Sequence, residues 1–264
     1  MSTALRISSV RSRGASETTC DGVLVGAGGK TFRPSTRLSD IPPILPNNGK
    51  PSRGLALSVS GIMTDMETQL RSSQALANTG LSVISVHNAT EGLLRDLTQC
   101  VLDKLGKGKN AAVDTLVFQM GAALKRGEPL RVVAHSQGAL DVARALKVLK
   151  RQWKAGGLSN DEIKVRFAKL SVETYGGSAG IYPDGPDYYH KLNRYDPVPM
   201  LTGLGLPFSR PGAGAKVVRF KQFENPMPID ARHGAGAGFA TVLEKSVHGC
   251  RSVYFPRRDT DLFG

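Results

Sequence analysis

The run Arg131-Val132-Val133-Ala134-His135-Ser136-Gln137-Gly138-Ala139-Leu140 restricts this chain more than any other stretch. Branched apolar residues lead into a serine. An amphipathic segment carrying Arg144, Lys147, Lys150, Arg151 and Lys154 follows at once. Where a strand turns abruptly into a helix, the two backbones come so close that the positions two before and two after the turn residue must be very small. Ala134 and Gly138 occupy those positions. Such a turn lifts the serine hydroxyl above the end of a sheet. It also sets the serine at a helix N-terminus, where unbonded N–H groups and the helix dipole favour negative charge. Ser136 is therefore a candidate nucleophile, and the N–H of Gln137 a candidate donor to an oxyanion. The same pattern occurs in turns without chemistry, so partners elsewhere in the chain decide its meaning.

Strand and helix patterns alternate from Gly54 onward. Leu55 to Ser60 reads as a strand, and Thr64 with Glu67 as a capping box opening a helix that Gly80 stops. Leu81 to Val86 is the next strand. Asn88 and Glu91 space a second helix start, with Leu93, Leu97, Cys100, Val101 and Leu105 on one face. A helix from Asn110 stops near Gly127, and the helix after Ser136 runs to about Ala155, ended by Gly156 and Gly157. Leu170 to Tyr175, Tyr188 to Tyr195 and Lys216 to Phe220 read as strands. Such alternation implies an α/β fold, a mostly parallel sheet covered by helices on both faces, in one domain over 51–264. Residues 1–50 differ. They are rich in Ser, Thr, Arg, Gly and Pro and lack periodicity, which predicts an irregular, partly disordered N-terminal extension.

A chain of 264 residues with 40% hydrophobic content suffices for one large α/β core. No apolar run of about 18 residues predicts a membrane span, and no apolar core at the N-terminus predicts a standard signal peptide. A cytoplasmic location is expected, or export by a specialised bacterial secretion system that reads the Ser-rich leader. Cys20, Cys100 and Cys250 are odd in number and scattered, with no metal-ligand spacing, which favours free thiols in a reducing compartment. No metal or organic cofactor is expected. The net charge of +13 is densest on the helix after Ser136. It reads either as a solvated face or as attraction to an anionic membrane surface. No nucleic-acid-binding module is visible, so no nucleic-acid partner is expected.

In a parallel sheet the working residues gather where strands end at their carboxyl edge. The first such place is Ser60-Gly61-Ile62. Gly61 lets backbone approach a substrate, and the Ile62 N–H becomes the second candidate oxyanion donor, although an ordinary strand-to-helix turn looks the same. The second is Asp196, fixed by Pro197 and Pro199 after an apparent strand, where a carboxylate orients an imidazole. A turn aspartate before proline is the plainer account, and Asp184 and Asp187 are weaker rivals. The third is a histidine beyond the last strand. His248 precedes the apolar Val253, Tyr254 and Phe255, which pack and steady it; His233 lies in a Gly-rich loop and is the alternative. His135 points away from a hydroxyl that points up, and His87 and His190 take no role.

The order Ser136, Asp196, His248, with each residue after a different strand, resembles the α/β-hydrolase superfamily, in particular its lipase- and esterase-like members. The resemblance spans roughly 54–255 and rests on Ala134-His135-Ser136-Gln137-Gly138, Ser60-Gly61-Ile62, Asp196-Pro197-Val198 and the late histidine. Ala134 replaces the usual glycine, and no His-Gly-Gly-Gly loop is present. The resemblance implies a serine hydrolase cleaving a carboxylic ester through a Ser-His-Asp triad and an acyl-enzyme. The basic helix and the Gly-rich segments 201–214 and 233–238, read as a cover, point to a small-molecule ester or a lipid or phospholipid ester. An acyltransferase using the same triad is an alternative. So is a non-catalytic protein of this fold that binds an acidic membrane or partner.

Overall fold

The computed structural model describes residues 21–61, 65–88, 110–221 and 254–255. Short runs of branched and aliphatic residues, buried on both sides, form the main strands. In chain order the elements are β1 (Leu24–Val25), β2 (Thr31–Phe32), β3 (Leu55–Val59), α1 (Met66–Ala77), β4 (Ser82–Val86), α2 (Ala111–Lys125), β5 (Leu130–His135), α3 (Gln137–Ala155), α4 (Asn160–Phe167), β6 (Leu170–Tyr175), β7 (Asp187–Asn193), α5 (Pro197–Thr202) and β8 (Lys216–Phe220).

The eight strands make one sheet in the order β2-β1-β4-β3-β5-β6-β7-β8. Every pairing from β4 to β8 is parallel, and β1 runs antiparallel to β2 and β4. The chain leaves β3 to one side for β4, then returns to the other side for β5. The crevice between the carboxyl ends of β3 and β5 is thus a switch point, the place where open α/β sheets bind ligands.

Side chains alternate between the faces of the sheet. Leu57, Ile84, Val132 and Val172 pack with Leu116 and Met120 of α2 and Val142 and Leu146 of α3. Ala56, Val83, Val133 and Tyr175 pack on the other face with Leu76 and Ala77 of α1 and with Tyr254 and Phe255. The expected two-sided cover is therefore present. The outward side of α3 carries Lys147, Arg151 and Lys154, all exposed. Among the described residues no helix is long and apolar enough to cross a membrane.

The sheet begins earlier than the expected boundary at residue 51. Beyond its two short strands, the N-terminal segment exchanges backbone bonds between Ile44 and Val83 (2.8 and 2.9 Å), covering the exposed edge of β4. The Thr115 hydroxyl donates to the Gly22 carbonyl at 2.6 Å, and Gln119 Nε2 to those of Pro34 and Thr36 at 2.6 and 2.8 Å. Two-residue strands carry no hydrophobic period, which is why the sequence reads as irregular there.

Helix starts differ in detail from expectation. Asp65, not Thr64, caps α1, its carboxylate accepting the Thr68 N–H at 2.6 Å. Asn110 caps α2 as anticipated. A capping box of Ser159 and Glu162 opens α4, which the periodicity did not suggest. The expected helix through Leu93 and Leu105 lies outside the described residues, as do Thr64, Cys20, Cys100 and Cys250.

Candidate active site

Ser136 joins β5 to α3 with φ 56° and ψ −126°. It is the one non-glycine residue with positive φ among the described residues, a conformation that costs about 1–3 kcal/mol and persists only where the surroundings enforce it. They do so from β6 and the turn that follows it. The Ser136 N–H donates to the Tyr175 carbonyl at 3.1 Å, and its carbonyl accepts the N–H groups of Ala139 (3.2 Å) and Ser178 (3.1 Å). The crowding inferred for Gly138 is real: a Cβ there would stand 2.4 Å from the Val59 carbonyl oxygen. At the first small position the buried Ala134 methyl fits within the core.

Gln137 is the first residue of α3, so its N–H has no acceptor within the helix. Gly61 leans over the same point. A Cβ on Gly61 would lie 3.1 Å from Ser136 Oγ and 3.6 Å from the Gln137 nitrogen. The loop after β3 thus meets the serine at the switch point. Ile62, the expected second donor, lies outside the described residues.

Asp196 stands at the carboxyl end of β7, fully buried, as the N-cap of α5. Its Oδ1 accepts the Val198 N–H at 3.0 Å and its Oδ2 the Tyr254 hydroxyl at 2.7 Å. The turn after β6 links this carboxylate to the serine. A Cβ on Gly176 would sit 2.9 Å from Asp196 Oδ2, while Ser178 two residues on bonds the Ser136 carbonyl. The rivals sit elsewhere: Asp187 begins β7 at the opposite edge of the sheet, and Asp184 Oδ1 accepts the Ala213 N–H at 2.8 Å.

His248 and His233 lie outside the described residues. His135 faces the Tyr254 ring, centroids 6.0 Å apart. His190 is buried on the far face. Its Nε2 donates to the Pro211 carbonyl at 2.9 Å and its Nδ1 accepts the Thr174 hydroxyl at 2.7 Å. Burial pushes its pKa down to about 4, so the ring is neutral and settled in one tautomer. His87 Nδ1 bonds Gln69 Oε1 behind the start of α1. Tyr254 is the site neighbour that sequence reasoning did not assign: its apolar surroundings signalled packing, but nothing local pointed to Asp196. Burial and the Asp196 charge push its phenol far above the ordinary range. Among the described residues no group of three or more His, Cys, Asp or Glu is placed to hold a metal ion.

The turns beside the site present exposed apolar side chains: Ile181, Tyr195, Leu201, Leu206 and Phe208, the last 89% exposed. They join the elbow through tight backbone packing. A Cβ on Gly203 would lie 2.2 Å from the Gly177 carbonyl oxygen, and one on Gly180 3.2 Å from that of Gly203.

The mostly parallel sheet, with its switch point between β3 and β5, makes this an α/β-hydrolase-like fold, in which a strained serine follows β5 and a buried carboxylate follows β7. No family model and no curated protein sequence matches the chain. Among solved structures it is similar to an esterase from Pyrobaculum calidifontis, over 66% of this chain and 68% of that one, at 13% identity and TM-score 0.42. It is similar to a monoglyceride lipase from Saccharomyces cerevisiae over 51% of this chain and 39% of that one, at 16% identity and TM-score 0.27. The third is a type II thioesterase of the yersiniabactin pathway, over 81% of this chain and 67% of that one, at 15% identity and TM-score 0.30.

Proposed function

We propose that the protein is a serine hydrolase that cleaves carboxylic esters through an acyl-enzyme on Ser136. The observation that carries this reading is the strained Ser136 turn at the switch point, with Gly61 backbone against its hydroxyl. In the proposed cycle His248 takes the Ser136 proton as Oγ attacks the ester carbonyl. The N–H groups of Gln137 and Ile62 hold the oxyanion, and Gly61 shapes the loop that presents the second of them. His248 then protonates the departing alcohol. Water, deprotonated by the same histidine, attacks the acyl-enzyme and frees Ser136 and the acid. Asp196 accepts the other imidazole N–H and stabilises the imidazolium. No metal or organic cofactor enters these steps.

Two features support the partners assigned to Ser136. β5 and β7 are two strands apart, about 10 Å, a gap that an imidazole with its two hydrogen bonds spans. Tyr254 is bonded to Asp196, and the six residues of chain back to His248 reach at most about 20 Å. That favours His248 over His233. The exposed Leu201, Leu206 and Phe208 beside the site, with the basic charge of the chain, support a lipid or phospholipid ester as substrate.

The test is a panel of short-chain, long-chain and phospholipid esters. The wild type is expected to hydrolyse at least one, and Ser136→Ala to lose about 10³-fold or more in kcat. His248→Ala is expected to match that loss and His233→Ala to leave most activity. Phe208→Ser is expected to slow hydrolysis in anionic vesicles while sparing soluble esters. Vesicle binding indifferent to anionic lipid and to salt removes the lipid reading; activity that survives Ser136→Ala removes the whole.

A further inference from the structure

We infer that Tyr254 is a positioning residue for the Asp196 carboxylate, holding it by a buried hydrogen bond that reaches in from the C-terminal segment. This rests on the serine-hydrolase reading above. The Tyr254 hydroxyl donates to Asp196 Oδ2 at 2.7 Å and accepts the Asn193 N–H at 3.1 Å. Asp196 Oδ1 is held from the other side by the Val198 N–H at 3.0 Å. Each carboxylate oxygen therefore has a donor from a different part of the chain, one from its own helix start and one 58 residues away. A carboxylate offers about four acceptor sites. These two donors steer the group without competing with an imidazole N–H.

The phenol is itself fixed. Tyr254 is fully buried, edge-on to Tyr175 (6.2 Å between centroids) and to Phe220 (5.5 Å). Phe255 braces the same Tyr175 ring at 5.6 Å. Gly176 makes the approach possible: a Cβ there would meet both the Tyr254 hydroxyl and Asp196 Oδ2 at 2.9 Å. Burial and the neighbouring carboxylate keep the phenol protonated, so it serves as a constant donor and takes no proton in the cycle. A ring needed only for packing has no use for this hydroxyl.

The test compares wild type, Tyr254→Phe, Asp196→Ala, the double variant, Ser136→Ala and Phe255→Leu on the ester the wild type hydrolyses best. Tyr254→Phe keeps the ring and loses the donor. Its kcat is expected to fall about tenfold, as for one hydrogen bond to a charged group, with KM within about twofold and Tm within about 5 °C. In the Asp196→Ala background the same change is expected to cost nothing further. Phe255→Leu is expected to lower Tm and leave kcat alone. Unchanged kcat in Tyr254→Phe, a tenfold loss that persists without Asp196, or a Tyr254→Phe protein that does not fold each overturn the positioning role. Full activity in Ser136→Ala, or no ester hydrolysed by the wild type, overturns instead the reading on which the role rests.

Discussion

A Cβ on Gly61 would lie 2.9 Å from the Cβ of Ser136, so the loop after β3 and the turn after β5 meet at a point where only a glycine fits. Ser136 has little freedom to retreat, because its N–H and its carbonyl are both bonded to the β6 side of the site. A methyl on Gly61 must therefore displace its own loop from the serine. Gly61→Ala is expected to lose about 10²-fold in kcat, the order of one oxyanion donor, with a nearly unchanged Tm. Kinetics on a soluble ester beside a thermal melt check this; an undiminished rate would separate the loop from the chemistry.

The two small positions around Ser136 are predicted to behave differently. A Cβ on Gly138 meets two backbone oxygens, those of Val59 at 2.4 Å and Ser60 at 2.8 Å, neither able to swing aside. Gly138→Ala is expected to cost about 1–3 kcal/mol, as overpacking does, and to lower Tm by roughly 3–10 °C. Ala134→Gly restores the commoner motif and only removes a buried methyl. It is expected to keep activity within about threefold of wild type while costing about 1–2 kcal/mol. A Gly138→Ala protein that melts with the wild type would show that Gly138 is not crowded.

What was legible in the sequence was local. Leu170–Tyr175 and Lys216–Phe220 coincide with β6 and β8 because each is a short run rich in branched and aromatic residues bounded by turn residues. Ser136 declared itself because the steric demand of its turn falls on neighbours two residues away. The Ser159–Glu162 box is equally local, but it opens a helix of eight residues, too short for a clear hydrophobic period. β1 and β2, two residues each, are too short to carry a period. The contact between Tyr254 and Asp196 joins positions 58 apart, and no pattern along the chain encodes a pairing at that distance.

His190 predicts a loss of stability on acidification. Burial between Thr174 and Pro211 pushes its pKa down to about 4, from about 6.5 in an unfolded chain. The unfolded state then binds more protons than the folded one between these values. The contribution is complete above pH 6.5 and is lost as pH falls through 4. In denaturant titrations from pH 7 to 4, wild type is expected to lose more stability on acidification than His190→Gln, the difference between the two being this contribution. Parallel slopes would place the acid sensitivity elsewhere.

Asp141 acts in the opposite direction. It is fully buried on α3, accepting from Asn88 Nδ2 at 2.8 Å and Asn110 Nδ2 at 3.2 Å. Burial raises its pKa to about 7, against the opposing pull of Arg144 and the Asn88 bond. The folded protein therefore holds an extra proton between about pH 4 and 7, and stability declines as pH rises through that window, then levels off. In the same titrations the stability of Asp141→Asn relative to wild type is expected to rise between pH 5 and 7, as the opposing contribution is removed. A constant difference across that window would show that Asp141 is already ionised there.

The proposed reaction requires Ser136 to be a nucleophile made reactive by the fold around it. Mass-spectrometric mapping after exposure to a fluorophosphonate tests it most directly, because the reagent reports on the serine without knowledge of the substrate. A single adduct on Ser136 is expected in the folded protein, and none in Ser136→Ala or in urea-unfolded protein. Labelling that persists in Ser136→Ala, or an unlabelled Ser136 in folded wild type, would contradict it.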